Sequence, residues 1–148
     1  MLPQRIISSD ASSAVTLVRL IVGAVFLSEG IQKFLFPDEL GVGRFVKIGI
    51  PAPEVMAPFV GVCEIVCGAF ILIGLLTRLA TIPLIIDMLV AISTTKIPIL
   101  FKSGFWAMAH EARVDYAMLL GSIFLLIVGA GTWSIDAHLT SRVMRRNE

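Results

Sequence analysis

Four carboxylates interrupt the long apolar stretches of this chain, and they are the residues best suited to chemistry. Glu29, Glu64, Asp87 and Asp115 each lie in a segment whose other residues are largely hydrophobic. A charged side chain inside a bilayer is costly, so intramembrane acids normally face a protein interior and mark functional or pairing sites. The sequence therefore predicts a membrane bundle with a polar interior.

The bases that could neutralise these acids are few. Arg19 is the only deep base, and Lys33 follows Glu29 by four residues, a spacing that allows a pair along one helix. A carboxylate that lacks a counter-charge in a low dielectric favours its neutral form. We therefore expect at least one of Glu64 and Asp87 to be protonated at neutral pH. The alternative is an ion-paired network that only fixes how the helices pack.

Composition places the whole chain, residues 1–148, in one integral membrane domain. It is 57% hydrophobic and 16% charged, with a mean hydropathy of +0.92, which is too apolar for a soluble domain. The net charge is +1 and no basic stripe is present, so nucleic acid is excluded as a partner. Membrane lipid is the expected surrounding.

Four segments have the roughly 20 apolar residues that a transmembrane helix needs. In hydrocarbon the backbone must satisfy its own polar groups, so we predict helices. The expected fold is all-α, an antiparallel four-helix bundle. Its spans cover residues 14–36, 55–76, 79–100 and 112–130, followed by a tail at 137–148.

The connections and the positive charges suggest an orientation. Only Thr77 and Arg78 separate the second and third predicted spans, which indicates a tight hairpin, while longer loops lie on the opposite side. An even number of spans places both termini together, and Arg142, Arg145 and Arg146 favour the cytoplasm for that side. We expect a multi-pass protein of the inner membrane.

Each of three predicted spans has a stripe of small and polar residues that should pack inward. The stripes are Arg19, Gly23, Phe26, Gly30 and Lys33 on the first span, Ala57, Gly61, Glu64 and Gly68 on the second, and Pro83, Asp87, Ala91, Thr94 and Pro98 on the third.

Familiar cofactor motifs are missing from the sequence. His110 and His138 fall near opposite membrane surfaces and cannot jointly ligate a haem, and no flavin, phosphate-loop or metal motif occurs. Cys63 and Cys67 are one helical turn apart, too far for an unstrained disulfide, so both are expected to be small buried hydrophobes.

Quinone is the ligand that the remaining residues could accommodate. Phe34, Phe36, Trp106 and Tyr116, near the outer ends of the spans, could stack against its ring. Ordinary interface aromatics are the alternative reading.

Several stretches together resemble the DoxX family of small four-helix membrane proteins. The likeness runs from about Val18 to Asp136. The matching stretches are Glu29-Gly30-Ile-Gln-Lys33, Gly49-Ile-Pro-Ala-Pro53, Gly61-Val-Cys-Glu64 with Gly68, Gly74-Leu-Leu-Thr-Arg78-Leu-Ala, and Gly129-Ala-Gly131 with Ser134-Ile-Asp136.

The resemblance implies four helices with cytoplasmic termini. It also implies an association with redox metabolism, since relatives are linked to a thiosulfate:quinone oxidoreductase and to membrane complexes of oxidative-stress enzymes. Glu64 and the pair Gly30 and Lys33 are typical of that family, whereas Asp87 is not part of its pattern.

Three functions stay open. In the first, the chain is a redox-associated subunit: Arg19, Glu29, Lys33 and Glu64 bind a quinone, while Glu64, Asp87 and Arg19 handle its protons and charge. An oxidoreductase partner subunit would then supply electrons. The second is a non-catalytic anchor or assembly protein, and the third a proton-coupled small-molecule carrier, which would require a homo-oligomer.

Overall fold

The structure is a computed structural model that describes residues 13–146, and all described elements are helical. The side chains of Arg142, Arg145 and Arg146 lie outside the described residues. The helices are α1 (Val15–Leu35), α2 (Val42–Lys47), α3 (Pro53–Ile73), α4 (Thr77–Ala91), α5 (Ile97–Ser103), α6 (Phe105–Glu111), α7 (Arg113–Val128) and α8 (Ile135–Arg146), with a π-helical segment (Ile92–Lys96) joining α4 to α5.

Three helical runs are long and apolar enough to cross a membrane. They are α1, α3 and the continuous run Thr77–Ser103, which has 27 residues. These runs confirm a multi-pass all-α protein and match three of the four predicted spans. The fourth predicted span is also helical, but α7 has 16 residues. At about 1.5 Å per residue α7 is about 24 Å long, shorter than the roughly 30 Å hydrocarbon core.

One apolar core holds these helices together. α1 packs against α3, α3 against α4, and α4 against α7, which also touches α1. Phe26, Ile71, Leu84 and Leu125, one from each helix, are at most 1% exposed. Large apolar side chains cover the outer surface, among them Ile127 at 69% exposure. Such a surface suits lipid, because apolar side chains contact hydrocarbon without a free-energy penalty.

Glycines bring α1 and α3 into close backbone contact. A Cβ added at Gly30 would lie 2.6 Å from the carbonyl oxygen of Gly61 and 2.9 Å from the backbone nitrogen of Ile65. Gly23 and Gly68 meet in the same way one to two turns along. The inward-facing stripes predicted on the first two spans are therefore confirmed.

The hairpin between α3 and α4 differs from the sequence expectation. The connection is residues 74–76, and Thr77 and Arg78 already belong to the first turn of α4. Gly74 and Leu76 both adopt left-handed conformations, with φ of 70° and 48°. The Asp136 carboxylate accepts hydrogen bonds from the N–H groups of Leu76 and Thr77, at 2.8 and 3.1 Å, and so caps α4 from a distant part of the chain.

The π-helical segment uses its own hydroxyl groups to satisfy backbone carbonyls. Each hydroxyl donates to a carbonyl four residues earlier, at 2.6–2.8 Å: Ser93 to Leu89, Thr94 to Val90 and Thr95 to Ala91. Single-turn π segments occur frequently at functional sites. Here the segment ends at Lys96, which is buried.

Gly30→Ala should lower the free energy of unfolding in detergent micelles by about 1–3 kcal/mol, because the added methyl meets backbone atoms that cannot rotate away. Ala24→Val adds bulk to an exposed position of the same helix. It should change the free energy of unfolding by less than about 0.5 kcal/mol. Equal effects of the two substitutions would contradict the close helix contact.

Candidate functional site

All four intramembrane carboxylates meet at one cavity. The cavity has a volume of about 610 Å³ and lies between α1, α3, α4 and α7, beneath α2 and its flanking residues. Glu29, Glu64, Asp87 and Asp115 line it, although they come from four different helical segments of the sequence. The four helices therefore gather the acids at one place, in the half of the molecule nearer to α2 and α6.

Lys33 and Glu64 form the innermost ion pair of the cavity. The Lys33 Nζ lies 2.6 Å from Glu64 Oε2, and the two side chains are 12% and 3% exposed. This pair corrects the expected pairing of Lys33 with Glu29 along one helix. Glu29 is exposed, so Lys33 reaches instead across the α1–α3 contact. Both groups are largely removed from solvent, where an opposite charge nearby is needed to offset desolvation.

Asp87 adds a third ionisable group to this pair. Its carboxyl lines the same cavity as the Lys33–Glu64 pair. Lys33, Glu64 and Asp87 thus border one space with two acids and one base.

A second ion pair lies on the other side of the cavity. The Lys96 Nζ is 3.2 Å from Asp115 Oδ2, with side chains 11% and 19% exposed. Sequence reasoning assigned both residues only to span ends and missed the pair. A lysine within an unbroken apolar helix of 27 residues was the available signal.

The charges that line the cavity do not cancel. Its cations are Lys33, Lys96 and Arg44, one fewer than its four carboxylates. Within the described residues, no group of three or more His, Cys, Asp or Glu side chains is placed to hold a metal ion.

Apolar side chains supply most of the remaining cavity wall. Phe26, Leu84 and Met118 close the inner end and are at most 4% exposed. Phe45 of α2 is 8% exposed and covers the outer end. A cavity with apolar walls and a few converging polar groups is the usual form of a small-molecule site.

Arg19 lies away from this cavity. Its guanidinium donates to four backbone carbonyls: Ile71 at 2.9 Å, Leu72 at 2.6 Å, Ala130 at 3.0 Å and Trp133 at 2.6 Å. The expected pairing of Arg19 with a deep carboxylate is thereby corrected. The last carbonyls of α3 have no helical partners and carry partial negative charge, which attracts a buried cation.

The aromatic residues expected to stack against a ring also lie elsewhere. Phe34, Phe36, Trp106 and Tyr116 do not line the cavity and are 47–83% exposed. Of the two cysteines, Cys63 lines the cavity, whereas Cys67 packs against the apolar core. The aromatic side chains at the site are instead phenylalanines: Phe26, which belongs to the inward-facing stripe predicted on the first span, and Phe45 and Phe59, which the sequence analysis did not select.

Comparison with known proteins gives one family and two relatives. The model of the DoxX family matches residues 14–97, a range that includes every charged cavity residue except Asp115. The "Uncharacterized membrane protein Rv3486" of Mycobacterium tuberculosis is 54% identical over 144 residues, covering 93% of this chain and 88% of that protein. The "Putative oxidoreductase CatD" of Bacillus subtilis is 29% identical over 120 residues, covering 81% and 82%. No solved structure matches the chain.

Lys33→Met should destabilise the protein by about 3 kcal/mol, because it leaves Glu64 buried without its counter-charge. Adding Glu64→Gln should restore most of that loss. The check is a double-mutant cycle of unfolding free energies in mixed micelles, with Lys102→Met at an exposed site as control. Additive effects of the two substitutions would contradict the ion pair.

Arg19→Lys should lower the unfolding free energy by about 2–4 kcal/mol, since an ammonium cannot donate to four separated carbonyls. The Lys33–Glu64 pair lies in the other half of the molecule, so the cycle described above should give the same coupling energy in this background. A changed coupling energy would mean that Arg19 acts on the cavity after all.

Proposed function

The chain belongs to the DoxX family, and we propose that it is a membrane subunit of a quinone-linked oxidoreductase whose cavity binds the quinone ring. The observation that carries this proposal is the group Lys33, Glu64 and Asp87 in a largely apolar cavity of a membrane protein. A lipid-soluble ligand whose reaction consumes protons requires both features at once.

The cavity residues fit a quinone by their chemistry. The Lys33 ammonium is a charged donor that can polarise a ring carbonyl oxygen, and Phe26 and Phe45 offer apolar surface to the ring. Lys96, on the opposite wall, offers a second charged donor for the other carbonyl. Such donors, fixed in place before the ligand arrives, stabilise negative charge that develops on oxygen.

Proton delivery is the task that the carboxyl groups can perform. A quinone supplies a two-electron acceptor, and its full reduction also takes up two protons. The Glu64 and Asp87 carboxyls line the same cavity, and Glu64 pairs with Lys33, so both acids can give protons to a ligand bound there. Glu29 is exposed and lines the same cavity, so it can exchange protons with the surroundings.

Electrons would come from an oxidoreductase partner. The name of the Bacillus subtilis relative supports the oxidoreductase class, at 29% identity. The proposal assigns to this chain the binding of the acceptor and the handling of its protons, and to the partner the oxidation of a substrate.

A four-span topology in the inner membrane completes the proposal. α7 is short for a span, but the exposed Trp106 and Trp133 near its two ends can mark the two membrane interfaces. Arg78 and the basic end of α8 belong to the side that carries the termini, which favours the cytoplasm for that side. The cavity then lies in the outer half of the bilayer.

The test is native mass spectrometry of the protein extracted gently from its own membrane. Wild type should carry a stoichiometric quinone mass, and Glu64→Gln should reduce that occupancy at least about tenfold, as expected when a charge-assisted contact is lost. Glu54→Gln, at an exposed site on the same helix, is the matched control and should keep the quinone. Wild-type protein that carries only lipid would refute quinone binding and favour the anchor or assembly function.

A further inference from the structure

The residues that line the cavity and yet remain exposed fall into two sets. One set carries charge: Glu29 of α1 and Arg44 of α2. The other set is apolar: Phe59 of α3, Ile86 and Val90 of α4, and Val114 of α7, which are 61%, 57%, 44% and 56% exposed. A side chain that both lines a cavity and faces outward marks an opening. The charged residues mark one opening beside α1 and α2, and three of the four apolar residues mark another on α3 and α4.

The apolar opening lies between α3 and α4. These helices are joined tightly by residues 74–76 at the opposite end, where Ile71 and Thr77 are fully buried. Toward the cavity each helix contains a proline, Pro58 in α3 and Pro83 in α4, which removes a backbone hydrogen bond and permits bending. The two helices therefore enclose the core at one end and border the cavity at the other.

Both ends of the cavity along the bundle axis are closed. The core side chains Phe26, Leu84 and Met118 form the inner end, and Phe45 with Ile48 covers the outer end. A ligand dissolved in the bilayer would meet apolar side chains alone at the opening between α3 and α4. Charged residues border the other opening, which suits water and protons better than hydrocarbon.

We infer that the opening between α3 and α4 is a lateral portal through which a lipid-dissolved ligand enters, leaving its hydrocarbon tail against Phe59, Ile86 and Val90. This inference rests on the proposed function and specifies its substrate class: a quinone with a long tail, delivered from the membrane. The polar ring then sits beside Lys33 and Glu64, while the tail stays in contact with lipid.

Ile86→Trp tests the portal because it places a large side chain in the opening. Protein in lipid nanodiscs is incubated with a long-chain quinone that carries a photoactivatable diazirine on its tail, and crosslinks are mapped by mass spectrometry. Wild type should be labelled at Phe59, Ile86 or Val90. Ile86→Trp should lower labelling at least about tenfold, as expected when bulk blocks a fitted path.

Two controls separate the possible results. Ile82→Trp changes an exposed isoleucine one turn earlier on α4 that does not line the cavity, and it should label like wild type. Binding of a tail-less quinone, measured in parallel, should change less than about twofold in Ile86→Trp, since its ring needs no tail path. This pattern would support the portal.

The opposite results also have distinct meanings. If both quinones bind but the tail labels other residues, and Ile86→Trp has no effect, the portal is overturned while the proposed function stands. If neither quinone binds to wild type, the proposed function fails and the inference fails with it.

Discussion

The close approach of α1 and α3 is the constraint on which the candidate site depends. Gly30 and Gly61 bring the two backbones together, and the ionic residues Lys33 and Glu64 each follow their glycine by three positions. Side chains on a helix lean toward its N-terminus. Because α1 and α3 run in opposite directions, the Lys33 and Glu64 side chains lean toward each other. The glycines thus set the distance at which the pair can form.

The polar side chains at the two ends of the molecule have different partners. At the end that holds the α3–α4 hairpin, Arg19 and Asp136 bind backbone groups of distant segments and are each 2% exposed. Their hydrogen bonds are directed at the carbonyls and N–H groups that helix termini leave without partners. At the other end, charged side chains pair with one another around open space. Hydrogen bonds between side chains and the backbone of distant segments are concentrated at one end, and ion pairs between side chains are concentrated at the other.

Much of this arrangement could be predicted from the sequence, because hydrocarbon restricts what a polar residue can do. The membrane-spanning runs and the inward stripes of α1 and α3 both follow from that restriction. Pairing partners could not be predicted. Lys33 has a carboxylate one turn away, yet it bonds to one on another helix, and helical periodicity alone does not rank the two.

Arg19 shows a second limit of sequence reasoning. Its partners are backbone carbonyls, which every residue possesses and no sequence pattern reveals. The aromatic residues show a third, since an aromatic side chain near a span end can face lipid or a cavity. Phe45 faces the cavity because the short helix α2 folds over the bundle. The composition of the segment between α1 and α3 did not indicate that path.

The π-helical segment between α4 and α5 has a consequence for how this helix can vary. A π turn accommodates one residue more than an α turn, so it acts as a single-residue insertion that leaves the helix continuous. Each residue advances an α-helix by about 100°, and an insertion rotates everything beyond it by that amount. The rotation of the helix about its own axis, and not the residue type alone, therefore determines that Lys96 meets Asp115. A one-residue deletion within residues 92–95 would turn Lys96 by about 100° and so away from Asp115.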